Sequence, residues 1–534
     1  MEPSSLTTAT LHPSVSVACL NCRDKHVKCD GNVTGCSRCK TLNLLCYYVP
    51  SRRGRRARPS PYPMLMVDGS PHPGNPSPGQ CSSAAFSGTA AFTLMPQRVT
   101  DGLRESDPME GHWLTLFYVH FYQAHPFVPP REAFVHSAPP RYLIDVMKFI
   151  GMHYLPAHQL PDQSGPLKEA VQQSDLTLEK VQALLLLSIC LHARTQPKDA
   201  RECLAQAITE SLQLGLHYPD YSAEVEMSDP VRAEAARRTW WEIFIIDALL
   251  AAVQVEGILH LTVEPPDVPL PRDADEYGPN GVASSIREMD RQTYFHRLGD
   301  YSSAAYRVQA GCILRKCLLA GQTHVTEEGV DALDATIAAW FHRLPKPKQA
   351  ILHPNGTLDE MMFQAVMIMH CASLYLHFPK SYLLGFLPVT SQIFCSRPPD
   401  FLSLSMNPQM HTAKVATAAV KLAKLGSLST SVGDHSPFFV CTLVLSSIMQ
   451  MAMLSVDRDE AARTGRQYLA LNVGILRSMG DIWPIAAVST SRIQDVAVEV
   501  ETALAAQPRE VESDPFGQPT LLDIQELDLS LVTT

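Results

Sequence analysis

The chain has 534 residues, 46% of them hydrophobic and 18% charged, with a formal net charge of −10. That length allows more than one domain. That apolar share supports a large core and excludes a wholly disordered, collagen-like or small disulfide-rich chain. Residues 1–18, MEPSSLTTATLHPSVSVA, lack the basic start and long apolar stretch of a secretory signal and read as a disordered tail. Six cysteines follow, at Cys19, Cys22, Cys29, Cys36, Cys39 and Cys46, and repeat a Cys-x2-Cys-x6-Cys unit twice. A segment so short cannot fold on buried surface alone and needs staples. Three disulfides would use six cysteines, but such scaffolds belong to oxidising compartments. The other eight cysteines are scattered, as buried reduced cysteines are. The spacing therefore favours metal. Thiolates alone select zinc or an iron–sulfur cluster. Six sulfurs are too few for two separate four-sulfur sites, but two tetrahedral ions can share them if two thiolates bridge.

The charges around the cysteines give this module a partner. From Cys19 to Arg58 there are ten Lys or Arg against Asp24 and Asp30, a net of +8, which leaves −18 for the rest of the chain. A basic module on an acidic protein reads as a nucleic-acid footprint. The acidic remainder repels DNA and confines contact to the N-terminal end.

The cysteine pattern, together with Arg23-Asp24-Lys25-His26-Val27-Lys28-Cys29-Asp30 and Cys36-Ser37-Arg38-Cys39, closely resembles the fungal zinc-cluster transcription factors. The resemblance implies a module over 19–46 built of two halves, each a short helix and an extended segment. It implies two zinc ions, with Cys19 and Cys36 bridging, Cys22 and Cys29 completing one site, and Cys39 and Cys46 the other. It also implies double-stranded DNA as partner, read as CGG-type triplets in the major groove from the end of the first short helix. Lys25 and His26 take the base-reading role by this resemblance, since a Lys donor suits the N7 and O6 acceptors of guanine. Arg23, Lys28, Arg38 and Lys40 take the role of phosphate clamps, which position without specifying. Two residues depart from the family: His26 stands where Lys or Arg is usual, and Gly35 stands where a proline often makes the turn.

Residues 47–58 form a basic arm. Arg52, Arg53, Arg55 and Arg56 with Arg58 read as a nuclear import signal, a DNA-backbone arm, or both. Seven prolines fall between Pro59 and Pro78, so 59–109 is an unpacked linker. It contains no apolar heptad of the kind that would pair two chains. Binding as a monomer and pairing as a homodimer through the large domain both stay open.

From 110 to 505 the pattern is helical almost throughout, which predicts a large all-α domain, bundled or solenoid-like. The spacing predicts a helix over Asp199–Leu216, capped by Asp199 with Glu202 three residues on, and ended by Gly215. Asp229-Pro230 predicts the start of another. His125-Pro126-Phe127, the run Ala236–Glu242, Asp247, Gly257 and Val268–Pro271 resemble the regulatory middle region of the same transcription factors. That family commonly has Arg after the Asp247 position and Arg-Pro after Gly257. Here Ala248 and Ile258 stand instead, which predicts a missing local salt bridge. Arg237, Arg238, Glu242 and Asp247 read as helix-packing ion pairs.

No nucleophile elbow, phosphate-cradling glycine loop or paired-histidine zinc helix is present, so no enzyme and no organic cofactor is expected. His120 and His125, like His153 and His158, are five apart, one too many for an i, i+4 metal face. A core of this size can hold an effector pocket, though no residue marks one. Phe438–Leu454 is short for a membrane span and reads as a buried helix. The 506–534 tail sets Leu521, Ile524, Leu527 and Leu531 on one face among Asp523, Glu526 and Asp528. Such acidic-hydrophobic segments engage coactivators; a terminal helix docked on its own domain fits the same pattern. The expectation is a mostly α protein, a small binuclear zinc module joined by a disordered linker to an all-α regulatory domain. It would act in the nucleus as a DNA-binding activator of RNA polymerase II transcription, in the family's manner on a metabolic or secondary-metabolite gene cluster. The competing class is a protein-interaction or ligand-sensing scaffold whose zinc module is only structural.

Overall fold

The computed structural model describes residues 22–23, 25–31, 36–42, 108–155, 162–226, 228–254, 257–261, 268–273, 277, 301–322, 325–383, 407–428, 431–456 and 460–506. Two compact units, Met1–Asp101 and Gly102–Thr534, make up the chain. In the first, Cys22–Arg23 is helical and α1 spans Ser37–Thr41. Cys19, Cys46, the basic arm and residues 59–107 lie outside the described residues, as does the tail beyond Ala506; the helical unit begins at Pro108, two residues inside the expected linker.

The second unit is built of helices. They are α2 (Pro108–Leu116, continuing into a π-helical turn over Phe117–Phe121), α3 (Arg131–His136), α4 (Arg141–Met152), α5 (Ser164–Gln172) and α6 (Leu178–Ala193). Next come α7 (Pro197–Leu214), α8 (Pro219–Glu226), α9 (Pro230–Val253), α10 (Ser303–Gln322) and α11 (Glu327–His342). The last are α12 (Lys346–Gln349), α13 (Glu360–His377), α14 (Pro408–Ser427), α15 (Phe438–Val456), α16 (Glu460–Gly480) and α17 (Pro484–Ala506). Among the described residues the only β pairing is one isolated bridge, Leu352 with Leu358.

Local chemistry sets the helix ends. Asp229 starts α9, its Oδ1 accepting the Arg232 N–H at 2.9 Å, with Pro230 at the first helical position. Thr177, Asp359 and Asn407 cap α6, α13 and α14 the same way. The Asp199 cap is a correction. The helix begins two residues earlier, at Pro197 after Gln196. Proline's fixed φ preorganises the first turn. Asp199 sits inside that turn and pairs with Lys168 of α5 at 2.6 Å. At the other end Gly215 adopts φ +82, with Gly215 N–H bonded to Leu212 O and Leu216 N–H to Ser211 O. This is the Schellman stop.

Chain neighbours pack on each other: α6 on α7, α13 on α14, and α14 to α17 in succession; α10 lies along α13. One core joins them, with Trp241, Trp483, Phe117, Phe121, Phe149, Phe244 and Phe363 fully buried. Removing each such ring from water is worth roughly 1.5–3 kcal/mol. Gly151 lets α4 cross α2 so closely that a Cβ there would collide with the Trp113 carbonyl oxygen. The apolar run Phe438–Leu454 falls in α15 and is largely buried, as expected. Among the described residues one helical stretch, Glu360–Lys380, is long and apolar enough to cross a membrane, but it is mostly buried in this core.

Candidate zinc centre and nucleic-acid interface

The metal site starts from a turn. His26 N–H bonds to Arg23 O at 3.1 Å and Val27 N–H to Cys22 O at 2.9 Å, while His26 itself adopts φ +50. This is again a Schellman stop, with His26 in the left-handed position. Among non-glycine residues His is one of the few enriched there, which gives the departure at His26 a conformational basis. The reversal leads the chain from Cys22 to Cys29 and brings their sulfurs together.

The Sγ atoms of Cys22, Cys29 and Cys36 lie within 4.8 Å of one another. Cys22 Sγ and Cys36 Sγ are 3.7 Å apart, far beyond a disulfide bond of about 2.05 Å. Two thiolates on one tetrahedral zinc with bonds near 2.3 Å stand about 3.8 Å apart, so the donor set fits zinc. Cys36 also caps α1, its sulfur accepting the Cys39 N–H at 3.4 Å. A helix N-terminus favours the thiolate form that zinc needs. Cys22, Cys36 and Cys39 are fully buried.

Asp30, which the sequence offered only as an opposing charge, ties the two halves together. Its carboxylate accepts Ser37 N–H at 3.0 Å and Ser37 Oγ–H at 2.5 Å. These bonds from Ser37 hold its pKa below the usual carboxylate range. The signal was available: an Asp right after one ligand and a Ser right after another.

Around the buried sulfurs the predicted DNA residues face outward. Arg23, Lys25, His26, Lys28 and Lys40 are exposed and Arg38 is half-buried. Arg23 lies in the helical segment, Lys25 and His26 in the turn, and Lys28 just beyond it. Arg52, Arg53, Arg55 and Arg56 fall outside the described residues.

In the helical unit the separate motifs of the middle region converge on α9. His125 Nδ1 meets Glu242 Oε1 at 2.7 Å, and Arg307 of α10 grips the same carboxylate at 2.5 and 2.9 Å. Burial pushes the Glu242 pKa up, but the Arg307 charge and the hydrogen bonds from His125 and Arg307 outweigh it and hold it at about 2. Arg238 donates to Pro126 O and Arg272 O, and Trp241 Nε1–H donates to Pro269 O at 3.0 Å. Arg237 and Arg238 both pair with Glu234. The ion-pair reading of Arg237, Arg238, Glu242 and Asp247 holds. The missing salt bridge at Asp247 is a correction: Arg315, more than sixty residues on, supplies the cation at 2.7 Å, and His260 adds a second partner at 3.0 Å. His120 Nδ1 pairs with Asp434, and His153 with Phe149 O and Arg194. His158 is outside the described residues.

Comparison with known proteins agrees with this division. Residues 17–56 match the fungal Zn(2)-Cys(6) binuclear cluster domain, which binds two zinc ions. Residues 114–316 match the fungal specific transcription factor domain. C6 finger domain transcription factor iacK of Pestalotiopsis fici is 28% identical over 549 aligned positions, covering 91% of this chain and 81% of that protein. No solved structure matches. Both domain families are those of transcription factors and neither is an enzyme family. A zinc-cluster domain and a regulatory domain of this kind in one chain, with a relative aligned along most of its length, support a fungal zinc-cluster transcription factor.

Proposed function

We propose that the chain is a sequence-specific activator of RNA polymerase II transcription, working in the nucleus on CGG-type triplets. The observation that carries this reading is the arrangement around Cys22. Cys22 and Cys36 are buried and Cys29 half-buried, while Arg23, Lys25, His26 and Lys28 are exposed within six residues of Cys22. Metal on the inside fixes the backbone, and the cations outside meet the duplex. Lys25 and His26, in the turn that ends the helical segment, take the base edges. Arg23, Lys28, Arg38 and Lys40 take phosphates, and the arm from Arg52 to Arg56 extends the backbone contact. Cys19 and Cys36 bridge two zinc ions, Cys22 and Cys29 complete one site, and Cys39 and Cys46 complete the other. The acidic-hydrophobic tail engages coactivators, and the chain binds either one triplet as a monomer or two as a homodimer paired through the helical unit. By likeness to the family, the regulated genes form a metabolic or secondary-metabolite cluster. The test is full-length protein carrying Lys25→Ala on specific and scrambled duplexes. Base readout predicts a loss of ~1–3 kcal/mol on the specific site alone. An equal loss on both duplexes would reduce Lys25 to a phosphate contact.

A further inference from the structure

Asp30 follows Cys29, a sulfur of the first half, and Ser37 follows Cys36, where α1 of the second half begins. Both residues are exposed, yet they are joined three ways. The Ser37 N–H donates to Asp30 Oδ1 at 3.0 Å and to Oδ2 at 3.1 Å, and the Ser37 hydroxyl donates to Oδ2 at 2.5 Å. Bonds to an ionised carboxylate are roughly twice as strong as neutral ones. The join spans the stretch between Cys29 and Cys36, which starts on Gly31 at φ +67. Glycine leaves a backbone free to hinge. Coordination fixes the sulfurs; Asp30 and Ser37 fix the backbone just outside them.

The cations of the module belong to the two halves that this join connects. Arg23, Lys25, His26 and Lys28 precede Asp30, while Arg38 and Lys40 lie on α1. Phosphates can be met in many poses, but base edges demand one. With the halves free to hinge, either set of cations still finds phosphates, and only the single pose that places Lys25 on a base is lost. Holding the halves together before binding removes that ordering cost. Asp30 also puts a negative charge into a stretch of net +8, which lowers plain phosphate affinity. A residue that costs general affinity and orders the module acts on discrimination.

We propose that Asp30 and Ser37 are positioning residues, a latch between the two halves that sets base discrimination without touching metal or DNA. The inference rests on the reading of Lys25 as a base contact and adds what holds that contact in place. The experiment uses full-length, zinc-loaded parent, Ser37→Ala, Asp30→Ala and the double variant. Each is titrated with the duplex that the parent selects from random DNA and with a scrambled duplex of equal length, and zinc per chain is measured for all four. The expected zinc content is the parent's throughout. Ser37→Ala, which changes no charge, weakens binding to the selected duplex about three- to tenfold and leaves the scrambled duplex unchanged. Asp30→Ala weakens the selected duplex by roughly tenfold or more and tightens the scrambled one, because a negative charge is gone. The double variant is no worse than Asp30→Ala, since the partners act as a unit. Should Asp30→Ala lose zinc, Ser37→Ala decides alone. The latch is overturned if the single variants keep the parent's preference, if they lose both duplexes equally, if the two losses add, or if both lose zinc. A parent that selects no sequence sinks base reading itself, and the latch with it.

Discussion

Arg315 of α10 places Nη2 2.7 Å from Asp247 Oδ2 of α9, with the two side chains 6% and 0% exposed. The Arg315 guanidinium also donates to Leu261 O and lies 4.3 Å over the Phe244 ring. Asp247 in turn accepts the backbone N–H groups of His260 and Leu261, each at 3.0 Å. Burial raises the Asp247 pKa, but the bond from His260 and the charge of Arg315 bring it below the usual carboxylate range. One buried ion pair thus fixes two core helices and the segment after Gly257.

Breaking that pair from one side is predicted to be severe. Arg315→Met leaves a buried carboxylate and a buried carbonyl without their cation, and costs about 3–5 kcal/mol. Adding Asp247→Asn removes the stranded charge and recovers part of that loss, so the two effects are not additive. Urea denaturation of the single and double variants measures both. A loss under about 1 kcal/mol for Arg315→Met would mean the pair is not structural.

Acid sensitivity of the helical unit should begin near neutrality. His153 donates Nδ1–H to Phe149 O at 2.9 Å and accepts from Arg194 Nη1 at 3.0 Å, a neutral tautomer. Burial first, then the Arg194 charge, holds its pKa at about 4, against an ordinary 6.5. The folded state therefore disfavours the extra proton. The contribution of His153 is fully present above pH 6.5 and is lost as pH falls toward 4, on the order of 3 kcal/mol over that window. Glu242, ordinarily near 4.5 and held at about 2, loses its contribution at lower pH, between those values. His153→Gln should flatten the upper part of the stability-versus-pH curve and leave the lower part unchanged. A curve equally steep in both proteins would exclude His153 as the group responsible.

The left-handed turn at His26 predicts a ranking of substitutions. His26→Asn and His26→Gly keep the Schellman stop and the zinc fold. His26→Val forces a β-branched residue into φ +50 and costs roughly 1–2 kcal/mol of metal-coupled folding. Cobalt titration followed by zinc displacement ranks the three variants. Equal affinities across the series would remove the conformational account of this position.

Much of the site was legible because its chemistry repeats locally. Cysteine spacing pointed to thiolate zinc, and the charge imbalance separated a DNA-facing end from an acidic remainder. Helix stops followed residue type where type is decisive, as at Asp229 and Gly215. Thr195 ends α6 in the same Schellman geometry with φ +62, yet a β-branched residue gives no such signal. The Arg315–Asp247 pair was not legible, because its partners lie on different helices and only packing joins them. Helices α6 and α9 are buried on nearly every side, so the apolar stripe that usually orients a helix is missing there.

Zinc should be required for DNA binding but not for the helical unit. Full-length protein is predicted to carry two zinc ions per chain. Structural zinc in small fingers contributes about 10–16 kcal/mol to folding, so chelation abolishes DNA binding while the main unfolding transition stays in place. One zinc ion per chain would contradict the bridged arrangement at Cys19 and Cys36.

The central claim is sequence-specific DNA reading from the exposed turn beside the buried cysteines. Selection of bound duplexes from random DNA by full-length zinc-loaded protein tests it most directly. The account predicts enrichment of a CGG-type triplet that Lys25→Ala abolishes, with the spacing between triplets reporting one chain or two. Unenriched DNA, retained in proportion to phosphate contacts and weakened only by salt, would contradict it.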